Sequence, residues 1–325
     1  MSKTALLFAG QGAQAVGMGK DLAEKFPSAK AWFDRANTAL GYDLASICFN
    51  GPEPELTKTE NAQPGIFLVS WVAFQLLKER VGVQALACSA TDTLKRELQL
   101  KFDATAGLSL GEFTALTAAA AMSFEDGLRV VRQRGRFMQE ACEATRGGMA
   151  AVIGLDEAPT REICAEAGVT LANLNCPGQI VISGELDKIT KAVELAKAKG
   201  AKRAIPLPVA GAYHSPLMAG AQPKLQAELA KVKFSPPVVP VISNVTGQPH
   251  GNAAEISARL VEQVTSSVLW EKSMRHLLAQ GFTRFIELGP GTALSGFMRR
   301  INKKVQMLNV ADVAGLEVTG KALAP

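Results

Sequence analysis

Gly107-Leu108-Ser109-Leu110-Gly111 has the residue types and spacing of a nucleophilic centre. In a G-x-S-x-G that joins a strand to a helix, a sharp turn exposes the serine hydroxyl. Glycines on both sides remove the Cβ atoms that would block so tight a turn. Residues 102–106 read as the short strand before it, and residues 112–121 as the helix after it. The free N–H groups and positive dipole end of that helix would face an oxyanion. The same five residues also fit a turn in which small side chains merely pack a strand against a helix.

A serine hydroxyl is a weak nucleophile until a base takes its proton. The chain has three histidines. His250 follows Gly-Gln-Pro in what reads as an exposed turn, and His276 has the surroundings of a packing or surface residue in a helix. His214, just before Ser215-Pro216, is by elimination the best base. In an α/β-hydrolase the chain order is Ser, acid, His. No acidic residue between Ser109 and His214 stands convincingly at a strand end, so the expectation is a Ser–His dyad oriented by a neutral acceptor. The histidines are too few and too scattered for a metal site.

Two other places bear on the chemistry. Gly10-Gln11-Gly12 follows an apolar run, but the next glycine is Gly17, so the dinucleotide pattern G-x-G-x-x-G fails. The alternative is a glycine loop whose N–H groups approach a reacting carbonyl. Arg134 is spaced with Val130, Val131, Phe137 and Met138 on the apolar stripe of a helix that starts at Ser123. An arginine there either snorkels or pairs with a carboxylate, which a substrate could supply.

The elements that must hold these groups alternate strand and helix, which indicates a parallel α/β domain. Strands are expected at 4–9, 102–106, 238–243 and 282–288, with helices at 21–40 and 65–78. Residues 146–210 have a separate βαββαβ rhythm, the ferredoxin-like pattern. The expected fold is therefore a hydrolase-like parallel-sheet domain, residues 1–145 and 211–325, with a ferredoxin-like subdomain at 146–210 inserted in it. The join between them is a natural place for a cleft. Residues 81–100 read as a surface excursion.

At 325 residues the chain is long enough for a large core, and charged residues are interspersed. The apolar run at its start is too short for a signal segment and reads as a first strand. No stretch has transmembrane length. Cys48, Cys88, Cys142, Cys164 and Cys176 are odd in number and scattered, which points to reduced thiols in a cytoplasm. A net charge of +5 without aromatic–basic clusters argues against nucleic acid.

Together these residues closely resemble the malonyl-CoA:acyl carrier protein transacylase family. The matching segments run through nearly the whole chain: F-A-G-Q-G-A-Q, G-L-S-L-G-E-F-T-A-L, R-G-R-F-M-Q-E-A, N-C-P-G-Q-I-V-I-S-G, G-A-Y-H-S-P-L-M, S-N-V-T-G, V-L-W-E-K-S-M and I-E-L-G-P-G. The resemblance implies a ping-pong reaction. Ser109 would take malonyl from coenzyme A and pass it to the phosphopantetheine thiol of acyl carrier protein, for fatty acid synthesis and without a cofactor. It makes His214 the base, oriented by the backbone carbonyl of Gln263, and gives the oxyanion-hole N–H groups to Gln11 and Leu110. Arg134 would bind the malonyl carboxylate, with Asn175 and Asn244 in support.

This chain departs from the family in three places. Leu108 replaces the usual histidine before the serine, which removes a polar wall of the acyl pocket. Tyr213 stands where phenylalanine is commonest, and is still bulky enough to exclude an α-methyl branch. The 81–100 excursion is longer than the usual connector. Competing readings are a serine hydrolase or thioesterase, an acyltransferase of a polyketide pathway, and an inactive carrier-binding module. Arg134 and the missing triad acid weigh against the hydrolase.

Overall fold

The computed structural model describes residues 2–87 and 100–324. Five strands form a parallel sheet: β1 (Lys3–Phe8), β2 (Ala104–Gly107), β7 (Val241–Ile242), β8 (Phe282–Leu288) and β9 (Gln306–Val310), in the order β7-β2-β1-β8-β9. β1 is the central strand, and Thr4 to Phe8 are all buried. Successive side chains of a strand point to opposite faces. Accordingly Leu6 and Phe8 enter one apolar core, while Ala5 and Leu7 enter the other, around Trp270 and Phe285. A continuous apolar strand is what a sheet covered on both faces requires.

The first core is closed by a helix at Thr59–Ala87 and another at Phe124–Glu143, packed against each other. Ser123 caps the second, its hydroxyl accepting from the Asp126 amide as the S-F-E-D sequence predicts. Gly127 is needed at their crossing, since a Cβ there would press on Thr117 Oγ1 at 2.6 Å and the Phe67 ring at 2.8 Å.

A second sheet is antiparallel: β3 (Gly147–Ile153), β4 (Thr170–Cys176), β5 (Gln179–Glu185) and β6 (Arg203–Pro206), in the order β4-β5-β3-β6. Helices Glu157–Ala167 and Leu186–Ala198 complete an apolar core of its own. The two parts are stitched together. Val268 donates to the Ala172 carbonyl at 2.8 Å, and Arg300 donates to the Pro177 carbonyl at 2.7 Å.

Several boundaries differ from expectation. The helix expected at 21–40 is two, Lys20–Lys25 and Pro27–Leu40, because Phe26 turns extended ahead of Pro27. The helix expected at 65–78 runs over Thr59–Ala87, with Pro64 in an early turn. The strand expected at 238–243 pairs only at Val241–Ile242. Beyond it, helix Ala253–Glu262 stops just before Gln263, and another begins at Trp270. Of the 81–100 excursion, residues 81–87 continue the long helix, and 88–99 lie outside the described residues, as does Cys88. The other four cysteines are free and buried.

Candidate active site

Three neighbouring strands end at one place. The carboxyl ends of β1, β2 and β7 lead into Gln11, Ser109 and Asn244, and such an edge is where open parallel sheets bind ligands. The turn after β2 is as tight as its glycines imply. A Cβ on Gly107 would overlap the Gly111 carbonyl, and one on Gly111 would overlap the Phe8 carbonyl. Ser109 itself takes the left-handed conformation, with φ 52°. That backbone is strained for a residue with a side chain and is held only where its surroundings insist on it. Here Asn244 insists: its Oδ1 accepts from the Ser109 amide at 2.6 Å, and its Nδ2 donates to the Gly107 carbonyl at 2.7 Å.

Ser109 Oγ lies 2.8 Å from His214 Nε2, and His214 Nδ1 lies 2.9 Å from the Gln263 carbonyl. A carbonyl only accepts, so Nδ1 carries the proton and Nε2 presents its lone pair to the serine O–H. His214 is also left-handed, at φ 57°. Burial pushes its pKa down to about 4, assisted by the positive Arg134, so the ring is neutral and basic at ordinary pH. Gln263 is the last-turn cap of helix Ala253–Glu262, which leaves its carbonyl free to accept from the imidazole.

Arg134 reaches the same hydroxyl from helix Phe124–Glu143. It is 1% exposed, and its Nη2 lies 3.1 Å from Ser109 Oγ and 2.9 Å from Gln263 Oε1. Nη1 donates to Gln63 Oε1 at 2.8 Å, while Nε has no partner among the described residues. Its face lies over the Phe113 ring. Burial lowers its pKa to about 10, which still leaves it charged, and among the described residues no carboxylate pairs with it. A buried cation with an unused donor, one atom from the nucleophile, suits an acyl group that brings its own negative charge.

The Leu110 and Gln11 amides donate to no acceptor among the described residues. The Gln11 side chain is held by Gln63 Nε2 at 3.4 Å. Tyr213 is buried, and its hydroxyl shares a hydrogen bond of 2.6 Å with Thr59 Oγ1. Leu108 packs at the edge of the Trp270 core, and its Cβ would lie 3.2 Å from one on Gly10.

Ser109, His214, Arg134, Gln263 and Asn244 thus form one hydrogen-bonded set, with Gln11 at its edge. Asn175 does not join it: the residue is buried at the end of β4, and its Oδ1 has no partner among the described residues. His250 requires a correction. Far from being exposed, its side chain is fully enclosed, with Nε2 2.6 Å from Glu112 Oε1. The sequence reading also missed three features: Glu112, Gln63 and the side chain of Gln263. Glu112 resembles any acid in a helix's first turn, and Gln63 precedes a proline in what reads as a helix start. Among the described residues no cluster of three or more potential metal ligands occurs, and no helix is long and apolar enough to cross a membrane.

Residues 5–322 match the acyl transferase domain family. The malonyl CoA-acyl carrier protein transacylase of Bacillus subtilis is 44% identical, over 99% of this chain and 98% of its own length. Among solved structures, the acyl-carrier-protein S-malonyltransferase of Bartonella henselae superposes with a TM-score of 0.89 at 38% identity. It covers 99% of this chain and all of its own. A type II PKS acyl-carrier protein in complex with its malonyl-transacylase gives a TM-score of 0.89 at 35% identity, over 99% of this chain and 100% of that one. With relatives aligned end to end at this identity, and a serine turn, base and buried arginine in one hydrogen-bonded set, the chain belongs to the acyl transferase family, among the malonyl CoA-acyl carrier protein transacylases.

Proposed function

We propose that this acyltransferase moves a malonyl group from coenzyme A to the phosphopantetheine thiol of an acyl carrier protein, through a malonyl ester on Ser109. The observation that carries this reading is Arg134, a buried guanidinium 3.1 Å from the serine oxygen with no carboxylate against it among the described residues.

In the first half-reaction His214 Nε2 takes the serine proton as Oγ bonds to the thioester carbon. The oxyanion so formed faces the amides of Gln11 and Leu110, donors aimed where charge develops. As the C–S bond breaks, His214 returns the proton to the leaving thiolate. In the second half-reaction His214 takes the proton of the carrier thiol, whose sulfur attacks the ester, and Ser109 leaves with the proton restored. Arg134 would exchange its contact with Ser109 Oγ for the malonyl carboxylate, gripping both oxygens. The donor is a thioester and the acceptor a thiol, so the reading calls for no metal or cofactor.

The same reading treats residues 1–145 and 211–325 as a hydrolase-like catalytic domain and 146–210 as a ferredoxin-like insertion. The β4-β5-β3-β6 order and two helices on one face support the second assignment. It also places the protein in cytoplasmic fatty acid synthesis.

The test is intact-mass detection of a malonyl adduct after incubation with malonyl-CoA, then its discharge by carrier protein. Wild type should gain the adduct and lose it faster to carrier than to water. Ser109→Ala should gain none and transfer at least about a thousandfold more slowly. An adduct on the alanine variant, or discharge to water alone, overturns the proposal.

A further inference from the structure

The carboxylate of Glu112 lies directly beneath the nucleophile turn, completely buried, and the reaction as described does not use it. Its Oε2 accepts from Gln263 Nε2 at 2.5 Å and from the Asn244 amide at 3.1 Å, and its Oε1 from His250 Nε2 at 2.6 Å. Every group around it donates, as a buried carboxylate requires.

Gln263 stands between this carboxylate and the reacting groups. Its Nε2 spends one hydrogen on Glu112 and the other on the Ser109 carbonyl at 3.0 Å. Its Oε1 is thereby turned to Arg134, and its backbone carbonyl holds His214. An amide can be reversed with little change in shape, so something must fix which end faces the arginine. If the Gln263 amide reversed, an NH₂ would face a guanidinium that has only donors, and an oxygen would face a carboxylate.

We propose that Glu112, seated by His250, is a positioning residue that locks the Gln263 amide and through it holds the Arg134 fork ready for the acyl carboxylate. Glu112 does the work of orientation that a triad acid does in hydrolases, but for the group that binds substrate. His250 completes the seat. With Nε2–H donating to Glu112, Nδ1, which has no partner among the described residues, is left as a bare lone pair instead of a buried N–H. The inference rests on the malonyl-transfer reading of the site.

The test compares the ratio of kcat/KM for malonyl-CoA to that for acetyl-CoA in wild type, Glu112→Gln and Glu112→Ala, each with its thermal midpoint. Glu112→Gln keeps the shape and replaces a charge-assisted bond to Gln263 by a neutral one, so the ratio should fall about fivefold. Glu112→Ala should lower it about tenfold or more, with acetyl transfer reduced less than malonyl. Should the alanine variant not fold, the glutamine variant decides. A ratio unchanged from wild type in the folded variants, with only the midpoint lowered, makes Glu112 a purely structural carboxylate and overturns the inference. Failure of the underlying reading shows separately, as wild-type protein that never acquires a malonyl adduct.

Discussion

Two strand-to-helix turns leave the parallel sheet at its carboxyl edge, and they treat negative charge in opposite ways. After β8, Gly289-Pro290-Gly291 leads into helix Ala293–Ile301, and Glu287 reaches from the strand to that helix's first turn. Its carboxylate accepts from the Leu294 and Ser295 amides at 2.9 and 2.8 Å and from the Ser295 hydroxyl at 2.6 Å. The anion for that helix N-terminus is built into the chain. After β2, the nearby carboxylate of Glu112 turns away to Gln263, Asn244 and His250, and the Leu110 amide keeps no acceptor among the described residues. One turn is complete in itself, whereas on the proposed reading the other is completed by negative charge that develops during a reaction. The same layout then serves as a structural joint at one strand and a reactive one at another, and the disposition of the nearby acid is one clear difference between them.

The sharpest way to break this contrast is at Arg134, which on the proposed reading receives the carboxylate of the incoming acyl group, a demand the turn after β8 does not make. Arg134→Ala should lower malonyl kcat/KM at least about tenfold, the size of one charged hydrogen bond, while acetyl transfer holds or rises. Arg134→Lys keeps the charge without the fork and should fall between. An unchanged malonyl-to-acetyl ratio in the alanine variant would make Arg134 a structural arginine.

The converse experiment is at Glu287. Glu287→Ala leaves three buried donors without their acceptor and should cost about 1–3 kcal/mol in denaturant unfolding. The malonyl-to-acetyl ratio should not move, and a shift in it would mean that the two turns are not independent.

Acid should affect the turn after β2 through His214. Its pKa is 6.5 when free and about 4 in the folded protein, lowered by burial and then by Arg134. Between these values the unfolded chain binds a proton that the folded one refuses. This contribution to stability is therefore lost as pH falls from 6.5 towards 4, and is complete above 6.5. Activity should persist correspondingly far into acid, with the His214 limb of kcat/KM near pH 4 and not near 6.5. A limb at 6.5 would show an imidazole open to water.

The smallest effect is expected at the far end of helix Ala293–Ile301. Lys303 and Lys304 follow it and are exposed, whereas Arg300 is engaged with Pro177 and Gln179. Reversing both lysines to glutamate should slow the carrier half-reaction a few-fold at low salt and leave the coenzyme A half-reaction alone. Equal slowing of both would remove these lysines from docking.

What the sequence disclosed about these turns follows from how local each constraint is. Gly107 is demanded by backbone atoms of Gly111 and Glu112, a few residues away, so the tight turn could be read directly, whereas the demand on Gly111 comes from the Phe8 carbonyl of the neighbouring strand and shows only in the fold. Arg134 betrayed itself by helical spacing, and the alternation of strands by apolar runs. Glu112 and His250 could not be read this way, because their partners lie more than a hundred residues off. Gln-Pro-His in a turn suggests exposure, and only the folded chain encloses that ring. The break at Phe26 is legible in the following proline, which outweighs the periodicity that runs across it. Pro64 reads as a helix start, but the long helix packs well enough against helix Phe124–Glu143 to run through it.

The chain enters the antiparallel sheet at Gly147 and leaves it at Pro206, and by Ala212 it is back against Gly147. A Cβ on Gly147 would lie 2.7 Å from the Ala212 backbone nitrogen. To the rest of the molecule the whole segment is a loop with coincident ends. The entropic cost of closing a flexible loop grows only logarithmically, about 0.6 kcal/mol for each doubling of its length. The parallel sheet therefore tolerates extra chain between those two points wherever it lies clear of the Ala172–Val268 and Pro177–Arg300 contacts. In evolutionary terms the junction is a socket: the segment it holds can lengthen or shorten away from those contacts while the parallel strands fold as before.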